Sequence, residues 1–378
     1  MTPTTTVKST ALRAATALAV AAALLAGTAT AATANGPAEG TVTPIGPPLA
    51  DGDSAVDAAI SPDGRYVAYT EGSAWWEDWW WIRLTDAATG KDMGVLPGSG
   101  SSSGNTAFSA DGRYVGYSSA RDETARIYDQ VTKETTVLTP PGSTTRAWGR
   151  FEALTPDGRF VAYSVGSSGP SEFRVRDRTT GADQAFTPKA AAGRTGGTVR
   201  SVGLSRDGGK AAYGYDYMGQ VADKGDVHVL DRATGTARQL DVTHNGAAAN
   251  GSSQLVRLTE DGNTVYFNSA ATNLLPTAVP AGTQAYRYDL TTNRLTHVGP
   301  AIESITDDGR YAVIQEDGLL YRQDRTAGTR VRIGTAKEHG YAHRAISADG
   351  KAYAFTTSDK AITGVAGWYQ MPYLRRFE

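Results

Sequence analysis

The chain of 378 residues contains no cysteine. Disulfides, thiol nucleophiles and a lipid-modified N-terminal cysteine are therefore excluded, and non-covalent packing must hold the fold together. Histidine is scarce as well, with five in all. Two of them, His339 and His343, stand four apart, a spacing that grips zinc only from a helix. No helical pattern surrounds them and no third ligand is near, so neither a metal nor any other cofactor is expected. Long apolar runs are also missing. The one candidate, residues 14–26, is shorter than the roughly 20 residues a membrane span needs. It follows Lys8 and Arg13 and precedes Ala32-Thr33-Ala34, which together read as a secretory signal over 1–34. A secreted or otherwise extracytoplasmic protein is expected, with no membrane insertion once the signal is cleaved. Without those two bases the net charge of −2 becomes −4. Such a mildly acidic chain has no footprint for nucleic acid.

What the chain does have is one phrase written seven times. The copies begin at Ile60 (ISPDGRYVAYT), Phe108, Leu154, Leu204, Leu258, Ile305 and Ile346 (ISADGKAYAFT). Their aspartates, Asp63 to Asp349, recur every 41 to 54 residues, a period of stacked or radial repeat folds. Each copy predicts a hairpin: Asp63 bonds its own backbone, Gly64 takes a positive φ, and an aromatic and β-branched strand follows. Apolar character on both faces of that strand predicts burial on both. A second turn signal lies about 20 residues on. Asp86, Asp129, Asp177, Asp231, Asp289 and Asp324 are each followed four residues later by Gly90, Lys133, Gly181, Gly235, Asn293 or Gly328. Each unit therefore holds four antiparallel strands, A to D, and repetition of such units makes a β-propeller.

Seven A–B turns stand against six C–D turns. The seventh unit lacks a fourth strand, and an unclaimed one exists at residues 41–45. The fold class expected is all-β: a seven-bladed β-propeller closed by an N-terminal strand that completes the last blade. The expected organisation is a signal peptide at 1–34, a linker at 35–40 and one propeller at 41–378. Deletion of residues 35–46 should lower the thermal midpoint.

The phrase S-x-D-G-[RK]-x-[VI]-A-[YF] resembles the WD40-like (PD40) repeat of TolB-type propellers. The stretches EFRVRDRTTG at 172–181 and NSAATNLLP at 268–276 are similar to a variety found in secreted bacterial members. That resemblance implies a propeller, and mostly a binding scaffold.

In such a ring the A–B and C–D turns share one face, and the longer, more varied B–C and D–A connections share the other. Function on repeat scaffolds sits on variable loops. The candidate ligand-binding residues on that face are Trp75, Trp76, Glu77 and Asp78, an aromatic platform with two acceptors, then Arg146, Trp148 and Arg150, then Tyr217, His339 and His343. Trp79, Trp80 and Trp81 are read as the start of strand C, packed between blades. No catalytic residue is assigned. The G-x-S-x-G match at residues 100–104 lacks the strand–turn–helix setting of a nucleophile elbow.

Two hypotheses follow. The first is an exported, monomeric, non-enzymatic scaffold that binds a protein or glycan through the B–C/D–A face. The alternative is a channel-mouth enzyme acting on glycans or lactones, as hydrolase or lyase. Its residues would be Asp57, Arg150, Glu152, Arg200, Glu303 and Arg344, near the starts of A strands. Three or more ionisable groups converging on the central channel would favour the enzyme.

Overall fold

A computed structural model describes residues 38–49, 52–73, 80–99, 106–119, 122–143, 149–166, 172–189, 196–217, 225–338, 344–364 and 369–378. The expected signal peptide lies outside them. Six four-stranded antiparallel sheets and one three-stranded sheet form the ring, each a separate blade. Blade 1 runs Asp53–Ile60, Tyr66–Ser73, Trp80–Asp86 and Lys91–Val95 as strands A to D, hydrogen-bonded in that order. The next five blades repeat the order.

The seventh blade differs as the turn count requires. Its strands B and C are Ala352–Thr357 and Met371–Arg376. The outer strand is Thr41–Pro44, antiparallel to C with Thr41 opposite Arg376 and Pro44 opposite Tyr373. Its A position is reduced to a single bridge between Ile346 and Tyr353. One short helix, Lys360–Thr363, stands beyond strand B of this blade, capped by Asp359 and ended by Gly364 at φ 75°. No helix was expected there.

Seven hydrophobic clusters hold the ring, one at each junction between neighbouring blades. Tyr69, for example, packs with Ala352 and Leu374 across the closing junction, and Tyr163 with Leu138 and Ile127 across the next but one. The residues opening the seven phrases, from Ile60 to Ile346, are all buried. The strands that follow carry fully buried side chains on both faces, such as Val67, Ala68 and Tyr69.

The repeated polar residues are consumed by turns. In every copy the Ser or Thr hydroxyl donates to the aspartate, as Ser61 Oγ does to Asp63 Oδ1 (2.5 Å) and Thr155 Oγ1 to Asp157 Oδ1 (2.6 Å). The same carboxylate then accepts a backbone N–H two residues on, as from Arg65 (3.0 Å). Gly158 has two reasons to be glycine: its φ is +70°, and a Cβ there would meet the Tyr114 ring of the preceding blade at 2.4 Å. The arginine of D-G-R pairs with the aspartate ending strand C: Arg65–Asp86 at 3.1 Å, Arg113–Asp129 at 2.7 Å, Arg159–Asp177 at 2.7 Å and Arg310–Asp324 at 2.9 Å. These aspartates also cap the C–D turn, Asp86 accepting from Ala88 and Thr89. Gly90, Lys133 and Asn293 adopt the positive φ the turn needs. The motif is structural throughout.

Candidate functional site

The A strands form the inner wall, because each touches the next around the ring. Ile60 N–H donates to the Arg344 carbonyl (3.0 Å), and Arg150 Nη2 reaches the carbonyls of Val199 and Arg200 (both 3.1 Å). This wall is irregular in a systematic way. Between Val56 and Ala59, Phe151 and Ala153, Val199 and Ser201, Leu255 and Arg257, and Ile302 and Ser304, the register against strand B slips. The residues left without a ladder partner are Asp57 with Ala58, Glu152, Arg200, Val256 and Glu303. A bulge re-aims a side chain and tends to occur beside active sites. Four of the five place an ionisable group there.

Asp57 is the most unusual of them. Its φ is +58°, a left-handed conformation within a strand. Among the described residues the other non-glycine positions with positive φ, Glu123, Lys133, Asn293 and Asp317, lie between strands rather than within one. Such a conformation costs a non-glycine residue of order 1 kcal/mol or more and persists where surrounding structure imposes it. Burial raises the Asp57 carboxyl above the usual carboxylate range, and burial likewise raises Glu303. Neither accepts a hydrogen bond or pairs with a cation among the described residues, and both keep partial exposure. They are acids without partners on blades 1 and 6, flanking blade 7.

Glu152 is different. Its side chain has no exposure; Oε1 accepts from Arg150 Nε (3.0 Å) and Ser164 Oγ (2.7 Å). Burial raises its pKa against the pull of Arg150 and the weaker field of Arg344. It holds Arg150, whose guanidinium is fixed by that carboxylate and two carbonyls while staying 27% exposed. Arg200 leans outward onto Asp216 (2.7 Å). Arg344 is half-buried, and burial with repulsion from Arg257 lowers its pKa to about 10. Arginine is still charged there at neutral pH.

Of the candidates drawn from the sequence, Arg150 stands in the channel wall. Tyr217 is buried, edge-on to Tyr215, and its hydroxyl donates to Asp226. Trp75, Trp76, Glu77, Asp78, Arg146, Trp148, His339 and His343 lie outside the described residues. Strand C of blade 1 begins at Trp80, which is half-buried; Trp81 keeps 38% of its surface exposed rather than packing away between blades. Sequence reasoning missed Arg257, held at 2.7 Å by Asp307, and the wholly buried Asp241 near Asp226. For the first pair the signal was available: Asp307 occupies the variable position of the phrase, where other copies have Pro62, Ala110 or Pro156. Among the described residues, no group of three or more His, Asp or Glu side chains is arranged to hold a metal.

No protein-family model matches the chain, and no curated protein matches it. Solved structures do. An oligogalacturonate lyase in complex with manganese superposes with a TM-score of 0.60 at 15% identity, covering 90% of this chain and 99% of that one. An oligogalacturonate lyase from Vibrio parahaemolyticus gives 0.58 at 13%, covering 90% and 98%. A hydrazine synthase from Kuenenia stuttgartiensis gives 0.50 at 14%, covering 79% and 91%. These neighbours are enzymes. They overturn the expectation of a non-enzymatic scaffold and turn the reading to the channel enzyme held as its alternative. What the chain shares with the two lyases is the seven-bladed β-propeller.

Proposed function

We propose that this protein is an exported enzyme that cleaves acidic glycans at its central channel, by elimination. One observation carries the reading: Asp57 and Glu303 are acids without partners among the described residues, set at bulges of the inner wall that also carries the fixed guanidinium of Arg150. Elimination next to a sugar carboxylate needs a base for the proton on the adjacent carbon, a cation to stabilise the charge that forms, and a proton for the departing oxygen. Asp57 and Glu303, with pKa values raised by burial, would serve as base and acid. As the carboxylate takes the proton, the C–H electrons form a C=C bond, the C–O bond to the leaving sugar breaks, and the second carboxyl protonates that oxygen. Arg150 would neutralise the sugar carboxylate, and Glu152 positions Arg150 without touching substrate.

Further support comes from the two oligogalacturonate lyases of like fold. Manganese belongs to one of those structures, and no step here is routed through a metal. The TolB-type repeat resemblance and the leader-like residues 1–34 support an extracytoplasmic protein, read here as a monomer. The test is incubation of the mature protein with oligogalacturonate and with neutral oligosaccharides. An ultraviolet-absorbing unsaturated product from the acidic substrate alone is expected. Saturated reducing ends would indicate hydrolysis instead, and no cleavage of any substrate would refute the proposal.

A further inference from the structure

A small charged cavity lies at the A–B-turn end of the channel. Its volume is about 30 Å³, and Ile60, Phe108, Leu154, Arg257, Ile305 and Ile346, from six of the seven repeat units, converge on it. Walls drawn from so many blades place it on the axis of the ring. The apolar members are buried among their own neighbours and present little surface to it. What faces it is charge, from Arg257, Asp307 and Arg344. Arg257 is 7% exposed and fixed: Nη1 donates to Asp307 Oδ1 at 2.7 Å and Nη2 to the Ile305 carbonyl at 3.2 Å. Arg344 has no such tie. Among the described residues its guanidinium makes no hydrogen bond and meets no carboxylate within ion-pair distance. Two guanidiniums against one carboxylate leave one net positive charge. Arg257 repels Arg344, and Glu152, whose field also reaches it, is already held by Arg150 and Ser164. A cation withdrawn from water without a counter-ion is costly.

We propose that this cavity binds a halide ion, chloride or bromide, on the ring axis, held by the guanidinium of Arg344 within the field of Arg257. Charge calls for an anion, and volume decides which kind. About 30 Å³ takes roughly one or two groups the size of a water molecule. A bare halide is of that size; a tetrahedral oxyanion or an organic acid is larger. The N–H donors of Arg344 supply charge-assisted bonds, and a spherical ion accepts them from any direction. One halide cancels the one net positive charge. No sugar enters so small a space, so the inference does not depend on the glycan reading.

Two measurements test it on the mature protein in halide-free buffer. The first is the thermal midpoint with sodium chloride, bromide, gluconate or phosphate added at matched ionic strength. Chloride and bromide should each raise it by about 2 °C once they exceed their Kd tenfold, and gluconate and phosphate should not. The second is the chloride-35 NMR line width, which reads the ion itself. The wild type should broaden the line, and added bromide should reverse the broadening. Arg344→Gln should abolish it, whereas Arg344→Lys, which keeps the charge, should retain part of it. Circular dichroism establishes that both variants are folded, and the ion series on the wild type needs no variant. The proposal is overturned by a wild type that leaves the chloride line unbroadened, or by equal broadening from folded Arg344→Gln. A midpoint shift in gluconate or phosphate as large as that in chloride would overturn it too.

Discussion

Removal of the closing strand should open the ring, and the size of the effect can be worked from its contacts. Residues 41–44 pair with the last blade at four positions, and Ile45 N–H adds a bond to the Pro372 carbonyl (3.1 Å). Those backbone bonds are worth on the order of 3–4 kcal/mol together. Ile45, 5% exposed within the cluster joining blades 7 and 1, adds about 2–4 kcal/mol. The sum is roughly 6 kcal/mol. A chain of this length has an unfolding entropy of about 0.7 kcal/mol per kelvin, so deletion of 38–45 should lower the midpoint by roughly 8 °C. Ile45→Ala alone should lower it by about 3–5 °C. Scanning calorimetry measures both. The register supplies a rescue: Thr41 stands opposite Arg376, so the same segment grafted after Glu378 could return as an ordinary C–D hairpin. That variant should regain most of the loss. A deletion that leaves the midpoint unchanged, or a graft that restores nothing, would refute closure by this strand.

Other outcomes follow from buried charges. Arg375 and Glu338, each 4% exposed, pair at 2.7 Å beneath the closing strand. Glu338→Ala should cost about 3–5 kcal/mol in urea unfolding by stranding the guanidinium, and a loss below about 1 kcal/mol would deny the pair its role. Asp129 and Asp324 are held at about 2 by Arg113 and Arg310. Their folded pKa lies below the unfolded value, so their stabilisation is present above about pH 4 and fades as pH falls towards 2; Asp324→Asn should flatten part of that acid limb. Asp241 is the opposite case. Burial, with Asp226 adding, pushes it up to about 7, so its contribution is full below about pH 4 and is lost as pH rises through 7. Asp241→Asn should remove that decline, and an unaltered pH profile would show that Asp241 does not titrate in this range.

The fold was legible because its signals are local. Ser61-Pro62-Asp63-Gly64 closes its own turn, and Asp86 caps the next, so short windows reveal hairpins; the count of turns then reveals closure. The site was only half legible. Asp57, Glu152 and Glu303 could be named from their place near the starts of A strands, but not their exposure. Glu152 proves sealed behind Arg150 and Ser164, whereas Asp57 is turned by a bulge that no residue type announces. Pairings such as Arg257 with Asp307 link blades 50 residues apart, beyond any local window. The short helix at 360–363 was missed because four residues with one cap carry little periodicity.

The account's central claim is that the unpartnered acids of the inner wall do chemistry. Its most direct test is the steady-state rate of double-bond formation from oligogalacturonate by the wild type, Asp57→Asn and Glu303→Gln. Each substitution should lower kcat by about 10²- to 10⁴-fold with KM little changed, while both proteins keep the wild-type thermal midpoint within a few degrees. Folded variants that retain the wild-type kcat would contradict the claim.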